Sequence, residues 1–281
     1  MSARHRLIVL APLAITGMSA VGCIDISAGG ARYTETVEKR FTVSGVPTVE
    51  VGTFDGSVDV STWDRPEVLV TIEKYGVDKA AADRILVTAE QDANQIRVDV
   101  RETRDGGVHL TFGSSGARVF VTVPARTEVG AATGDGSVSV RDVAGRIRVR
   151  TGDGAIHLEN VKGDVSATSG DGSIDVDGSI GQLTARSGDG RLHVRASGAG
   201  SVVDWRLATG DGSVLLEVPD GFGAELDAAT GDGRVRVQDV PFSGPSGRAD
   251  RGAAKGRIGK GGGRISIRSG DGSITVRGSE N

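Results

Sequence analysis

Residues 133–194 read TGDGSVSVRDVAGRIRVR, TGDGAIHLENVKGDVSAT, SGDGSIDVDGSIGQLTAR and SGDGRLHV. The Gly-Asp-Gly triplet starts at Gly134, Gly152, Gly170 and Gly188, a fixed step of 18 residues. A constant period of this length is the signature of a small unit stacked many times. Inside each unit apolar and polar residues alternate twice. Val138 and Val140, Ile156 and Leu158, Ile174 and Val176, and Leu192 and Val194 follow the triplet. Ile147 and Val149, Val165 and Ala167, and Leu183 and Ala185 follow a short polar turn. Alternation at period 2 predicts strands with one buried face. Each unit therefore reads as strand, turn, strand, Gly-Asp-Gly turn.

The predicted fold class is all-β: a β-solenoid of stacked coils of about 18 residues, each coil carrying two short strands paired in parallel with the coils above and below. The alternative is an antiparallel β meander, because Asp-Gly is also a strong hairpin signal. The solenoid is preferred because both strands of every unit carry an inward apolar pair. Two facing layers then seal one another, whereas a single-layer meander leaves that face uncovered.

Residues 1–22 read as a signal peptide, with Arg4 and Arg6 ahead of a short apolar run broken at Pro12. The stretch Ala20-Val21-Gly22-Cys23 resembles a bacterial lipoprotein signal, and it implies lipid attachment at Cys23, the single cysteine of the chain. A lone cysteine excludes an internal disulfide framework. Removing residues 1–22 takes two arginines and shifts the formal net charge from −4 to −6, which argues against a general nucleic-acid binder. With 44 glycines and 4% aromatic residues, the composition suits a turn-rich β repeat.

Residues 23–32 read as a tether and 33–125 as a more irregular N-terminal β region. Phe54 to Val60 is a degenerate copy of the unit, so this region belongs to the same fold. Asp78 to Leu86 is the one helix candidate, with Asp78 as N-cap. Residues 126–281 form the repeat region. Its later triplets start at Gly210, Gly231 and Gly270, and the last step is read as one coil plus a basic, Gly-rich insertion at 244–264. That insertion carries Arg248, Arg251, Lys255, Arg257, Lys260 and Arg264 against Asp250, and it reads as a solvated loop or, secondarily, a polyanion contact.

The repeated [ST]-G-D-G-[SR]-[VIL]-x-[VLI] units, the segment VEVGTFDGSVDVSTWDRPEVLV (49–70) and the segment GKGGGRISIRSGDGSI (259–274) together resemble the bacterial putative-adhesin family of short β-strand repeats. That family is a domain of unknown function. The resemblance spans Val37 to Arg277 and implies a solenoid-like fold in an exported or envelope protein. It brings no catalytic residues.

Three constellations carry possible chemistry. Stacking would place Asp135, Asp153, Asp171, Asp189, Asp211, Asp232 and Asp271 in a column with neighbours about 4.8 Å apart. Calcium would relieve their repulsion, but the favoured reading is that each Asp bonds its own turn while glycines such as Gly172 supply positive φ. His157 and His193 fall on outward positions with Asp175 between them, roughly 9.6 Å apart across two coils and too far for one zinc. They read as a solvated face; His5 leaves with the signal and His109 stands alone. Asp175 and Asp177 with Arg191 and Arg195 are a weak counterpart of a polysaccharide-cleaving site, and no nucleophile elbow, zinc motif or P-loop is present.

The expected function is a non-enzymatic, membrane-anchored lipoprotein of the bacterial cell envelope that binds an unknown surface protein or polysaccharide. No cofactor, catalytic residue, metal site or nucleic-acid partner is expected. A structural or regulatory envelope scaffold without adhesive ligand is the alternative, and a carbohydrate-active enzyme stands behind both.

Overall fold

The computed structural model describes residues 33–103, 115–198, 203–244 and 252–279. The expected leader at 1–22, the expected tether at 23–32 with Cys23, His109 and the insertion residues Arg248, Asp250 and Arg251 lie outside the described residues. The described chain is almost entirely strand: β1 (Tyr33–Thr42), β2 (Thr48–Thr53), β3 (Val58–Trp63), β4 (Glu67–Gly76), the helix α1 (Lys79–Asp83), β5 (Ile85–Asp92), β6 (Gln95–Glu102), β7 (Gly116–Pro124), β8 (Glu128–Thr133), β9 (Val138–Arg141) and β10 (Ala144–Thr151). It continues with β11 (Ile156–Ser169), β12 (Ile174–Ser187), β13 (Leu192–Ala196), β14 (Asp204–Thr209), β15 (Val214–Val218), β16 (Ala224–Thr230), β17 (Val235–Gln238), β18 (Phe242–Ser243), β19 (Ala253–Ile258), β20 (Arg264–Ser269) and β21 (Ile274–Gly278).

Two layers of paired strands face each other. The first layer, ahead of the Gly-Asp-Gly turns, runs β5, β6, β2, β8, β10, the second halves of β11 and β12, β14, β20, β16, β19 and β18. The second layer, after those turns, runs β1, β4, β7, β3, β9, the first halves of β11 and β12, β13, β15, β21 and β17. In the repeat the pairing is parallel and advances by one unit, with Ile174 beside Ile156 on one side and Leu192 on the other. This is an open, solenoid-like stack. Antiparallel pairs occur toward its two ends, in β1–β4–β7, β5–β6 and β16–β19–β18.

The alternation read from the sequence fills the space between the layers. Ile147, Val149, Leu183 and Trp205 from the first layer and Val138, Ile156, Ile174 and Leu192 from the second are buried in one continuous core. Each such side chain contributes about 1.5–3 kcal/mol on burial. Trp205 also needs a polar partner, and its Nε1 donates to the Ile180 carbonyl at 3.3 Å.

Both corners of a coil are fixed by backbone needs. At the Gly-Asp-Gly corner the buried hydroxyl of Thr151 donates to the Gly136 carbonyl of the adjoining coil at 2.8 Å and accepts from the Gly154 N–H at 3.2 Å. Ser169, Ser187 and Ser269 repeat both bonds. The hydroxyl residue before the triplet, and not the aspartate within it, therefore satisfies the turn. The reason for glycine also differs from expectation. Gly172 does not adopt positive φ; a Cβ there would instead press on the Gly154 backbone of the adjoining coil. At the opposite corner Asp142 and Asn160 do take left-handed φ values of 63° and 51°, a conformation such short polar residues tolerate. Asn160 Nδ2 donates to Asp142 Oδ1 at 2.7 Å.

Chain order and stacking order part company at the ends. β20 lies between β14 and β16, and β21 lies between β15 and β17. The coil turning at Asp271 is thus inserted between those turning at Asp211 and Asp232. Near the other end β2 lies between β6 and β8, and β3 between β7 and β9. In the step from Gly231 to Gly270, the described residues carry β18 and β19 between β17 and β20. Part of the expected loop at 244–264 is the strand β19, antiparallel to β16, with Arg257 Nε on Glu225 Oε1 at 2.8 Å. Its inward residues are Ala254, Gly256 and Ile258, too small a set to register as apolar alternation. The helix α1 forms where expected. Asp78 Oδ1 accepts from the Ala81 N–H at 2.7 Å, and the helix packs on β4, β1 and β5 across one end of the stack.

Candidate functional site

Parallel stacking turns residues 18 apart into neighbours, so the outer face of the second layer carries rows of side chains, one per coil. One row brings Ser139, His157, Asp175, His193 and Leu215 side by side. The next brings Asp177, Arg195, Glu217, Arg277 and Gln238 together. Asp175 bridges the two histidines, Oδ2 to His157 Nδ1 at 3.3 Å and Oδ1 to His193 Nδ1 at 3.5 Å. The predicted His-Asp-His alignment is therefore present.

The cluster extends further than the sequence showed. His193 Nε2 lies 3.2 Å from Glu217 Oε2, which also accepts from Arg195 Nε at 3.0 Å. Glu217 Oε1 accepts from Arg277 Nε at 2.9 Å. Glu217 stands on an outward position but is buried, with only 6% of its side chain exposed, because its three partners close over it. Burial alone would push its carboxyl pKa up. Hydrogen bonds from Arg277, His193 and Arg195 outweigh that and hold it at about 2, against an ordinary 4.5. Arg195 reaches Asp177 as well, Nη1 to Oδ2 at 3.5 Å.

A shallow hollow of about 540 Å³ opens over this face, lined by His157, Asn160, Asp175, Asp177, His193 and Arg195. Arg191 is exposed and takes no part in these contacts. The side chains in the hollow can donate and accept protons, yet their charges are largely met by one another. Among the described residues no three His, Cys, Asp or Glu side chains converge as a metal site. The triplet aspartates Asp135, Asp153, Asp171, Asp189, Asp211, Asp232 and Asp271 all stand exposed, and none of their carboxylates accepts a hydrogen bond from a described residue.

Sequence reasoning found His157, Asp175, Asp177, His193 and Arg195 from the 18-residue step. It missed Glu217 and Arg277, whose only signal was an acid and a base at matching distances past their own triplets.

Comparison with known proteins gives a family. The family model described as Toastrack DUF4097 matches residues 49–277. No curated protein matches the chain. A crystal structure described as a putative cell adhesion protein from Clostridium sporogenes shares 11% identity, with a TM-score of 0.39 over 87% of this chain and 100% of that one. One described as a putative adhesin from Bacteroides fragilis shares 12% identity, with a TM-score of 0.33 over 86% of this chain and 96% of that one.

Proposed function

This chain belongs to the Toastrack DUF4097 family, a family of unknown function, and from that premise we propose that it is a non-enzymatic lipoprotein of the bacterial cell envelope whose stacked coils bind a surface polymer or protein. The observation that carries this reading is the pair of long outer faces. Each repeats its side chains once per coil at about 4.8 Å, a spacing suited to a partner that is itself extended or repetitive. The finer reading of the fold as a solenoid of 18-residue coils belongs to the same proposal. The anchor rests on the resemblance of residues 20–23 to a lipoprotein signal and on Cys23. An adhesin-like role in particular rests on the repeat's resemblance alone.

A second reading has its own support. The ion cluster around Glu217 ties successive coils together and satisfies itself, as expected of a scaffold surface. The experiment is fractionation of cells carrying the parent or Cys23→Ala, with mass analysis of residue 23, followed by capture of envelope fractions on the full-length protein. The proposal expects release of Cys23→Ala from membranes and a retained envelope component. An unmodified Cys23 with unchanged fractionation overturns the anchor. A protein that retains nothing from any envelope fraction favours the scaffold.

A further inference from the structure

The outer face of the first layer differs in kind from the face that holds Glu217. Along β10, Arg146, Arg148 and Arg150 all point outward and are exposed. Two coils further on, Arg186 occupies the row of Arg150, with Thr168 between them. None of these four guanidinium groups has an ion-pair partner among the described residues. Over the same coils the acids on this face are Glu128 and Asp164. The opposite face of those coils carries Glu159, Asp175 and Asp177 against Arg141 and Arg195. One side of the central stack is therefore basic and the other mildly acidic, in a chain whose formal charge is −4.

Beside Arg148 and Arg150 the surface is cut away. β8 presents Gly130 and Ala132 outward, and β2 presents Gly52 next to them. These small residues floor a trough of about 360 Å³, walled by Arg148 and Arg150 on one side and by Glu50, Asp99, Arg97 and Arg101 on the other. The far wall is already neutralised: Arg97 pairs with Glu50 at 3.1 Å, and Arg101 pairs with Asp99. Only the β10 wall offers unpaired charge. Arg148 and Arg150 are two residues apart on one strand, roughly 6.7 Å, and Arg186 stands roughly 9.6 Å from Arg150 across two strand spacings. Arginine forks grip carboxylate and phosphate oxygens in pairs, and a low floor of glycine and alanine beside Arg148 and Arg150 leaves room for a ring or a chain backbone against that wall.

We propose that this trough binds a linear anionic glycan, with Arg148 and Arg150 holding one acidic group at the trough wall and Arg186 meeting a later group along the same chain. The proposal deepens the polymer-binding reading above and rests on it. The acidic group is a carboxylate or a phosphodiester, and the two sources are separated by the probe.

The test measures binding of the full-length protein to polygalacturonate, to poly(ribosyl ribitol phosphate), to uncharged dextran and to single-stranded DNA across a salt series. Binding of at least one of the two anionic glycopolymers at 0.15 M salt is expected, weakening as salt rises, with none to dextran. Arg148→Gln with Arg150→Gln should lower that affinity by about tenfold or more, and Arg186→Gln by less. Arg191→Gln, exposed on a turn away from the trough, should leave it unchanged. These side chains point into solvent, and an unchanged melting temperature would show that the variants still fold. Equal affinity for single-stranded DNA would reduce the face to an unselective basic patch and overturn the proposal. So would equal binding by parent and double variant. If the double variant still retains the same envelope component as the parent, the trough proposal fails and the binding role stands. If the parent retains nothing and binds neither polymer, both fall.

Discussion

Arg277 and Glu217 are sixty residues apart in the chain, yet Nε of the one donates to Oε1 of the other at 2.9 Å. They meet because the last coil lies against the coil of β15. The carboxylate titrates at about 2 in the folded protein against an ordinary 4.5, so folding favours its charged form. Its contribution is complete above about pH 5 and is lost as pH falls from there through about 2, amounting to at most about 3 kcal/mol. Glu217→Gln should be less stable than the parent at pH 7 and should lose less stability on going to pH 2.5. Urea unfolding at pH 7, 4.5 and 2.5 measures this, and identical acid limbs for the two proteins would refute it.

A Cβ on Gly172 would lie 1.9 Å from the carbonyl oxygen of Gly154, a contact only backbone movement can relieve. Gly172→Ala should cost about 2 kcal/mol or more through overpacking of the turn column. At Gly181 the nearest atom to a new methyl group is Asp164 Oδ1 at 3.5 Å, so Gly181→Ala should be neutral or stabilising by under about 1 kcal/mol. Denaturant midpoints compare the pair. A Gly172→Ala protein as stable as Gly181→Ala would mean that the coils are not packed this closely.

Ile174 is fully buried and Asp175, its neighbour, is half-exposed. Ile174→Asp should destabilise by several kcal/mol, because the new carboxylate has no partner in the core. Asp175→Ala gives up two partly exposed contacts to histidine and should cost less than about 1 kcal/mol. Similar losses of melting temperature in both would contradict the register.

Because the triplet aspartates stand exposed and accept no hydrogen bond from a described residue, Asp171→Asn should change stability by no more than about 0.5 kcal/mol. Excess calcium and chelator should both leave the melting curve where it was. A saturable rise with calcium that shrinks in Asp171→Asn would instead identify the column as a cation site.

What the sequence made legible was whatever follows from local period. Ile174 inward and Asp175 outward follow from alternation, and the His157–Asp175–His193 row follows from the 18-residue step. Glu217 escaped because adjacent Leu215 and Leu216 blur the alternation of β15, and because one of its partners arrives from the far end of the chain. β19 escaped because alanine and glycine suffice where its inner face packs. The role of glycine was recognised, but its cause was misjudged: the constraint is an approach between coils, which no single unit displays.

Synthesis order gives the inserted coil a further meaning. A ribosome delivers β16 and β17 before β20 and β21 exist, yet in the finished molecule the later pair separates the earlier pair from β14 and β15. The nascent chain must keep that slot vacant, or dock β16 early and release it again. Seating of β16 and β17 in the stack therefore waits for Arg264–Gly278, which follow them in the chain. A chain cut short at Gly252 loses more than those residues, since β16 and β17 are left without the strands that join them to the rest. β20 and β21 are in effect the fastener of the array, and their loss removes two rungs rather than one.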